Sequence, residues 1–316
     1  MWDIFKFELK YRAKRPATYI YFAIMFLFAF LAITTDIVQV GGSAGQIKQN
    51  APSTIAFFYT ILSAIVGMFL ASAIMGVPII RDFEHNTASM IFTTPITKFQ
   101  YLGGRYLGSF VTLLFVFSGM YFGMVLGLLM PWIDQEKLLP YDLWNLTQPF
   151  LLFASINAFI LSGLLFASGA LSRKIMVVYV QGILLFILYN LGVQMVSDLE
   201  NQDLGAILDP FGIITTNHFT RYWTVAEKNS QLVSLTGVML WNRLLWMGVS
   251  LLALVFTFWK FNFNIVGNAT KKQKKKAKAQ TVTLPTQQLA TAIPAVTQNF
   301  GIRTHLQQLW SLGILF

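Results

Sequence analysis

The stretch Arg81–Arg105, RDFEHNTASMIFTTPITKFQYLGGR, stands between two of the most apolar runs in the chain. Upstream lies Thr54–Ile80 and downstream Tyr106–Met130. Each is longer than the ~20 residues a helix needs to cross about 30 Å of hydrocarbon. So polar a segment between two such runs reads as a water-side connection between membrane-spanning helices. Four further runs qualify by the same measure: Ala17–Thr35, Phe150–Leu171, Ile175–Val196 and Val238–Trp259. Lipid admits only helices or closed barrels. Barrel strands alternate polar and apolar residues over about 10 positions, and these runs do not. The expected fold is therefore all-α: a six-span domain over 17–265, with spans at 17–35, 54–80, 106–130, 150–171, 175–196 and 238–259.

Composition agrees. Of 316 residues, 55% are hydrophobic and 11% charged, and mean hydropathy is +0.59. A soluble domain carries about 25% charged residues. The 29 Phe and 8 Trp suit a chain whose rings mark a water–lipid boundary. With no cysteine, a disulfide scaffold, Cys-ligated zinc and a thiol nucleophile are excluded.

The charge pattern predicts orientation. With the N-terminus in the cytoplasm, that side collects Lys6, Lys10, Arg12, Lys14 and Arg15, then Arg81, Lys98 and Arg105, then Arg173 and Lys174. Beyond the sixth span it adds Lys260, Arg303 and the run Lys271, Lys272, Lys274, Lys275, Lys276 and Lys278. The far side holds only Lys48, Lys137, Arg221, Lys228 and Arg243. Positive residues favour the cytoplasmic side. Both termini and the 81–105 segment are thus expected in the cytoplasm, and the protein in the cell inner membrane. The net charge of +10 does not point to nucleic acid, because much of it sits in one tail just after a span. Lys271, Lys272, Lys274, Lys275 and Lys276 are expected on anionic headgroups, each gaining about 1 kcal/mol.

The start, residues 1–16, is expected to be an amphipathic helix in the interface, its apolar side formed by Trp2, Ile4, Phe5 and Leu9. Pro16 then permits a turn into the first span. The Pro131–Pro149 loop places Trp132 and Trp144 at interface depth. The Ser197–Gly237 loop, rich in aromatics (Phe211, Phe219, Tyr222, Trp223), is expected to pack as a cap. Residues 266–300 turn from basic to Thr-, Gln- and Pro-rich and read as a cytoplasmic linker. Residues 301–316 faintly echo the N-terminus; they read either as the start of a second membrane unit or as a short interfacial helix.

Within 81–105, Phe83, Thr87, Met90 and Ile91 recur at helical spacing, opposite Asp82, Glu84, His85, Asn86 and Ser89. Thr94-Pro95 ends that element. Thr97 to Gln100 is a capping-box pattern opening a helix into the third span. The segment is therefore expected to form a short helix across the cytoplasmic face. An apolar stripe on the water side needs either headgroups or a partner protein to bury it.

At these residues the chain resembles the ABC-2 family of transporter permeases. The shared order is a basic interfacial helix, two spans, a cytoplasmic segment of the form E-x-x-T…TTP-I-T, and four more spans. Glu84, Asn86, Thr87, Thr93, Thr94, Pro95, Ile96 and Thr97 carry the likeness, which extends over residues 1 to about 265. The family usually has Gly where this chain has Asn86. The outer stretch from Asp209 to Trp223, DPFG…TRYW, also resembles permeases fused to an M1-type aminopeptidase; there, a second six-span unit and a zinc peptidase would follow. The resemblance implies that the 81–105 helix docks on a separate cytoplasmic ATPase, through Arg81, Asp82, Glu84, Asn86, Thr87, Thr93, Pro95 and Thr97, and passes its motion to the spans.

Other chemistry finds little footing. No Gly-Lys dipeptide occurs, so there is no P-loop, no cofactor is expected on this chain, and ATP belongs to the partner. There is no His-Glu-x-x-His, and His85, His218 and His305 are scattered. Leu161-Ser162-Gly163 reads as small residues within a span. Gly119, Gly123 and Gly127, with Ser63 and Gly67, form small-residue stripes for close helix contact, either within the chain or across a dimer. Asn157, Gln181, Asn190 and Gln194 are the intramembrane polar groups. Arg243, at the outer end of the sixth span, is expected to snorkel. With no charge at mid-depth, an ion-coupled carrier is disfavoured. The expected function is a non-enzymatic permease half, needing a second six-span unit as homodimer or fused half. The rival reading is a membrane anchor or scaffold that recruits a partner without transport.

Overall fold

The structure, a computed structural model, describes residues 1–35, 46–197 and 201–263. The linker at 266–300, the segment 301–316 and the basic run Lys271–Lys276 lie outside the described residues.

The described chain is helical, with no strand among the described residues. Six helices are long and apolar enough to cross a membrane: Pro16–Thr34, Pro52–Glu84, Lys98–Leu128, Leu143–Ser172, Ile175–Val196 and Gly237–Lys260. Each contains one of the apolar runs to within a few residues. We number the elements α1 (Trp2–Ala13), α2 (Pro16–Thr34), α3 (Pro52–Met75), α4 (Val77–Glu84), α5 (Ala88–Phe92), α6 (Lys98–Leu128), α7 (Leu143–Pro149), α8 (Ile156–Ser172), α9 (Ile175–Ser197), α10 (Gln202–Leu208), α11 (Ile213–Thr220), α12 (Val225–Ser230) and α13 (Gly237–Lys260).

Sequence chemistry sets the breaks. α2 and α3 each begin with proline at the first helical position, where its missing N–H costs nothing. Pro149 lies inside the fourth spanning segment, and the backbone widens into a π-helix over Phe150–Ser155 before α8. A proline removes one ladder bond, and such bulges absorb the defect. The second spanning segment breaks at Gly76, where Pro78 follows at the start of α4.

Small residues govern the packing. α2 lies along α6, where the Cβ positions of Gly119 and Gly123 would fall against the backbone of Phe22 and Phe26. Gly127 faces Ile33. The stripe expected to serve either dimerisation or internal packing is thus filled by α2 of the same chain. Gly67 receives the Phe117 ring, and Ser63 Oγ accepts a hydrogen bond from Asn157 Nδ2 at 2.8 Å. Those two are likewise buried inside the protomer and offer no dimer surface. α3 and α8 are the most enclosed spanning helices; α2 and α9 turn most of their surface outward.

Contacts sort the connections to two ends of the bundle. At one end, Asn50 bonds Leu139, and Lys48 and Ser53 bond Asn229 and Lys228. There α10, α11 and α12 fold into the expected packed cap, with Phe211, Ile213 and Ile214 buried. Tyr222, expected inside it, is exposed instead. At the other end lie α1, the α4–α5 connection, the α8–α9 turn and the end of α13.

Candidate functional site: a buried charge cluster at the α4–α6 connection

The cluster begins with the proline break. Pro78 has no N–H, so the carbonyl of Ile74, four residues earlier, loses its ladder partner. Arg12 of α1 takes that carbonyl, donating from Nη2 at 2.6 Å. The same nitrogen lies 3.2 Å from Ser109 Oγ of α6, and Nε donates to Glu8 Oε1 at 2.9 Å. One guanidinium thus joins α1, α3 and α6.

Glu8 is fully buried and accepts from three arginines. Besides Arg12, Arg81 Nη2 reaches its Oε2 at 2.9 Å, and Arg105 Nη1 at 2.5 Å. Burial pushes the Glu8 carboxyl up, but the charges of Arg12, Arg81 and Arg105 outweigh it and hold the group below its ordinary value of 4.5. The other Nη of Arg105 pairs with Asp82 at 2.8 Å, and Tyr101 donates its hydroxyl to Asp82 Oδ2 at 2.8 Å. Arg81 also lies 4.0 Å above the Tyr11 ring. α1 fits against α6 because Gly104 and Gly108 leave room for Ile4 and Glu8.

An aromatic cluster extends the connection. Phe92 of α5 packs against Tyr101 at 5.3 Å and Phe263 at 4.6 Å between ring centroids. Arg173, in the α8–α9 turn, sits 4.0 Å over Phe83 and donates to the carbonyl of Asn262 at 2.9 Å. Every described element at this end is therefore tied to the short connection α4–α5–α6.

Several expectations need correcting. Residues 83–91 do not form one helix: α4 ends at Glu84, Asn86 adopts a left-handed turn (φ 55°), and α5 starts at Ala88. Of the residues expected to meet a partner, Arg81 and Asp82 turn inward into the cluster. Glu84, Asn86, Thr87, Thr93, Pro95 and Thr97 stay exposed, as does Met90, at 73%. On α1, Ile4, Glu8 and Arg12 line the side that packs against α6, and Trp2 is exposed. The capping box stands as read, with Thr97 Oγ1 accepting from the Gln100 N–H and the Gln100 side chain accepting from the Thr97 N–H.

A second polar cluster lies at the cap end. Arg243 does not snorkel: it is 1% exposed. It donates from Nη1 to Asn157 Oδ1 at 2.7 Å and from Nη2 to the carbonyl of Phe211 at 3.0 Å. Asn242 Nδ2 meets the carbonyls of Ala206 and Asp209 at 2.9 and 2.8 Å. Asp209 accepts the Phe211 and Ile214 N–H groups, but burial wins and its carboxyl is raised above its ordinary value. Gly212 (φ 80°) is required here, since any Cβ would overlap the Arg243 guanidinium. His218 pairs with Asp203 at 3.0 Å. Among the described residues no three His, Asp or Glu side chains gather as a metal cluster.

Glu8, Arg12, Tyr101, Asn242 and Asp209 escaped the sequence reading. One signal was present: Ile4, Glu8 and Arg12 recur every four residues, as do Gly104 and Gly108. No family model matches the chain, and no curated protein matches it.

Proposed function

We propose that the chain is a six-span permease subunit of the ABC-2 type. In this reading it exports a substrate across the inner membrane, using ATP hydrolysed by a separate cytoplasmic subunit. Both termini and the α4–α6 connection face the cytoplasm, and a second six-span unit, as homodimer or fused half, completes the pathway. The chain itself carries no ATP site and binds no nucleic acid; the basic run beyond α13 rests on anionic lipid.

One observation supports this reading above others. The connection between the second and third spanning helices is short, has an exposed face, and is bolted from behind through Glu8, Arg12, Arg81, Asp82 and Arg105. A push on exposed Glu84, Met90 or Pro95 is thereby delivered to α3, α6 and α1 together. An anchor with no transport role needs no such rigid backing. Asn86 also fits: the family usually has Gly there, and the observed φ of 55° is open to Gly and tolerated by Asn.

The test is co-purification of the full chain from its native membrane, followed by reconstitution with the ATPase that accompanies it. Glu84→Ala and Pro95→Ala, both on exposed residues, should leave assembly intact and abolish substrate-stimulated ATP hydrolysis. Stimulation unchanged in both variants contradicts the coupling role; the absence of any ATPase favours the scaffold reading.

A further inference from the structure

The charge cluster does not balance. Three guanidinium groups, Arg12, Arg81 and Arg105, face two buried carboxylates, Glu8 and Asp82. Arg105 is 4% exposed, yet its Nε–H has no acceptor among the described residues. Buried cations keep a counter-charge, because an unpaired one costs several kcal/mol. Beside the cluster opens a cleft of about 680 Å³, lined in part by Arg81 and Arg105. That is the size of a small-molecule site. Its remaining wall is largely apolar, with Ile4, Phe7 and Ile91, and also carries Asp82, whose carboxylate is already paired with Arg105. Asp3 and His85 stand at the cleft too, both exposed to solvent, so Asp3 is screened by water and does not neutralise the buried excess.

We infer that this cleft binds one anionic phospholipid, its phosphate against Arg81 and Arg105 and its apolar part along Ile4, Phe7 and Ile91. The single uncompensated positive charge calls for one negative charge. The apolar wall calls for an occupant that is not a bare ion. The surroundings indicate a lipid rather than a peptide: Trp2, Phe7 and Trp259 are exposed at this end of the bundle, where aromatic rings mark headgroup depth. Exposed Lys6, Lys10, Lys14 and Arg15 on and after α1 draw anionic headgroups toward the cleft. The inference holds whether or not the chain partners an ATPase.

Full-length chain is reconstituted in phosphatidylcholine with a minor fraction of phosphatidylglycerol, extracted, and weighed with its retained lipid by native mass spectrometry. Wild type should retain phosphatidylglycerol over phosphatidylcholine by at least about fivefold, the ratio one basic residue's attraction for a headgroup gives. Phe7→Glu should lower that ratio about fivefold relative to wild type. Phe7 is 55% exposed, so the variant folds, and its carboxylate supplies the missing charge in place of the lipid. Its thermal midpoint should match or exceed wild type and no longer respond to phosphatidylglycerol. The basic run after α13 is common to both proteins and cancels. Arg81→Gln should reduce retention as well. Equal retention of the two lipids by wild type, or undiminished preference in Phe7→Glu, overturns the proposal. Stabilisation by inorganic phosphate without lipid retention, or displacement of the lipid by an acidic protein partner, overturns the lipid as occupant.

Discussion

Replacing Glu8 by Gln keeps the shape of the side chain and removes the charge that three arginines share. In the wild type one carboxylate oxygen takes Arg12 at 2.9 Å, and the other takes Arg81 at 2.9 Å and Arg105 at 2.5 Å. The Gln amide offers one acceptor oxygen, and its NH2 group faces donors. Two buried guanidinium groups, Arg12 and Arg105, and the partly buried Arg81 then confront Asp82 alone. Removing one partner from a buried ionic set costs about 3–5 kcal/mol, chiefly because charge is left uncompensated. Equilibrium unfolding of the full chain in mixed micelles with rising dodecyl sulfate, followed by fluorescence of its 8 Trp, reads that loss directly. Adding Arg81→Gln removes one surplus cation, so the double variant should lose less than the sum of the singles, by about 0.5–3 kcal/mol. A Glu8→Gln variant within about 0.5 kcal/mol of wild type, as for an ordinary surface change, refutes the claim that the cluster is buried and shared. The pH response checks the same point. Because Glu8 is held below 4.5 in the folded chain, its contribution is complete above that pH and lost as pH falls through the lower folded value. Glu8→Gln should flatten that acid limb.

Further outcomes follow from other parts of the fold. Arg243→Met leaves Asn157 Oδ1 and the Phe211 carbonyl without their donor and Asp209 without its buried cation, and should cost about 3–5 kcal/mol. Limited proteolysis of the 201–237 cap should accelerate, whereas Trp241→Ala, on the exposed face of α13, should not change it. Gly123→Leu pushes a side chain into the backbone of Phe26 and should destabilise by at least about 1–3 kcal/mol, with α2 separating from α6 in cross-linking. Thr97→Ala removes one half of the capping box at the start of α6 and should cost about 1 kcal/mol in the same micelle titration.

The spanning helices were legible because lipid imposes a one-dimensional rule: run length and absence of charge suffice, and the positions of neighbours do not enter. The break before α6 was legible for a similar reason, since Thr97, Gln100 and Pro95 act over a few residues. The clusters were not. Glu8 lies 73 residues from Arg81 and 97 from Arg105 in the chain, and an acid among Lys6, Lys10 and Lys14 looks like a solvated face. Its burial depends on Gly104 and Gly108 admitting α1 against α6, and on Pro78 freeing the Ile74 carbonyl for Arg12. Arg243 sits where a run of apolar residues begins, the usual place for a side chain that reaches water. It is buried because the 201–237 segment folds back and lays the Phe211 carbonyl and Asp209 against it. Asp82 misled in a different way. It falls on the polar side of a helical plot of residues 82–91, yet it belongs to α4, whose axis ends two residues later, and so it points inward.

The proposed role rests on which side of the membrane the α4–α6 connection faces, and the chain suits a direct measurement because it has no native cysteine. Ser89 is exposed on α5, and Ser89→Cys introduces a single thiol there. In intact cells a membrane-impermeant maleimide should leave that thiol unmodified, and it should react fully once the inner membrane is opened. Labelling from the external medium alone would place the connection on the wrong side for any cytoplasmic ATPase.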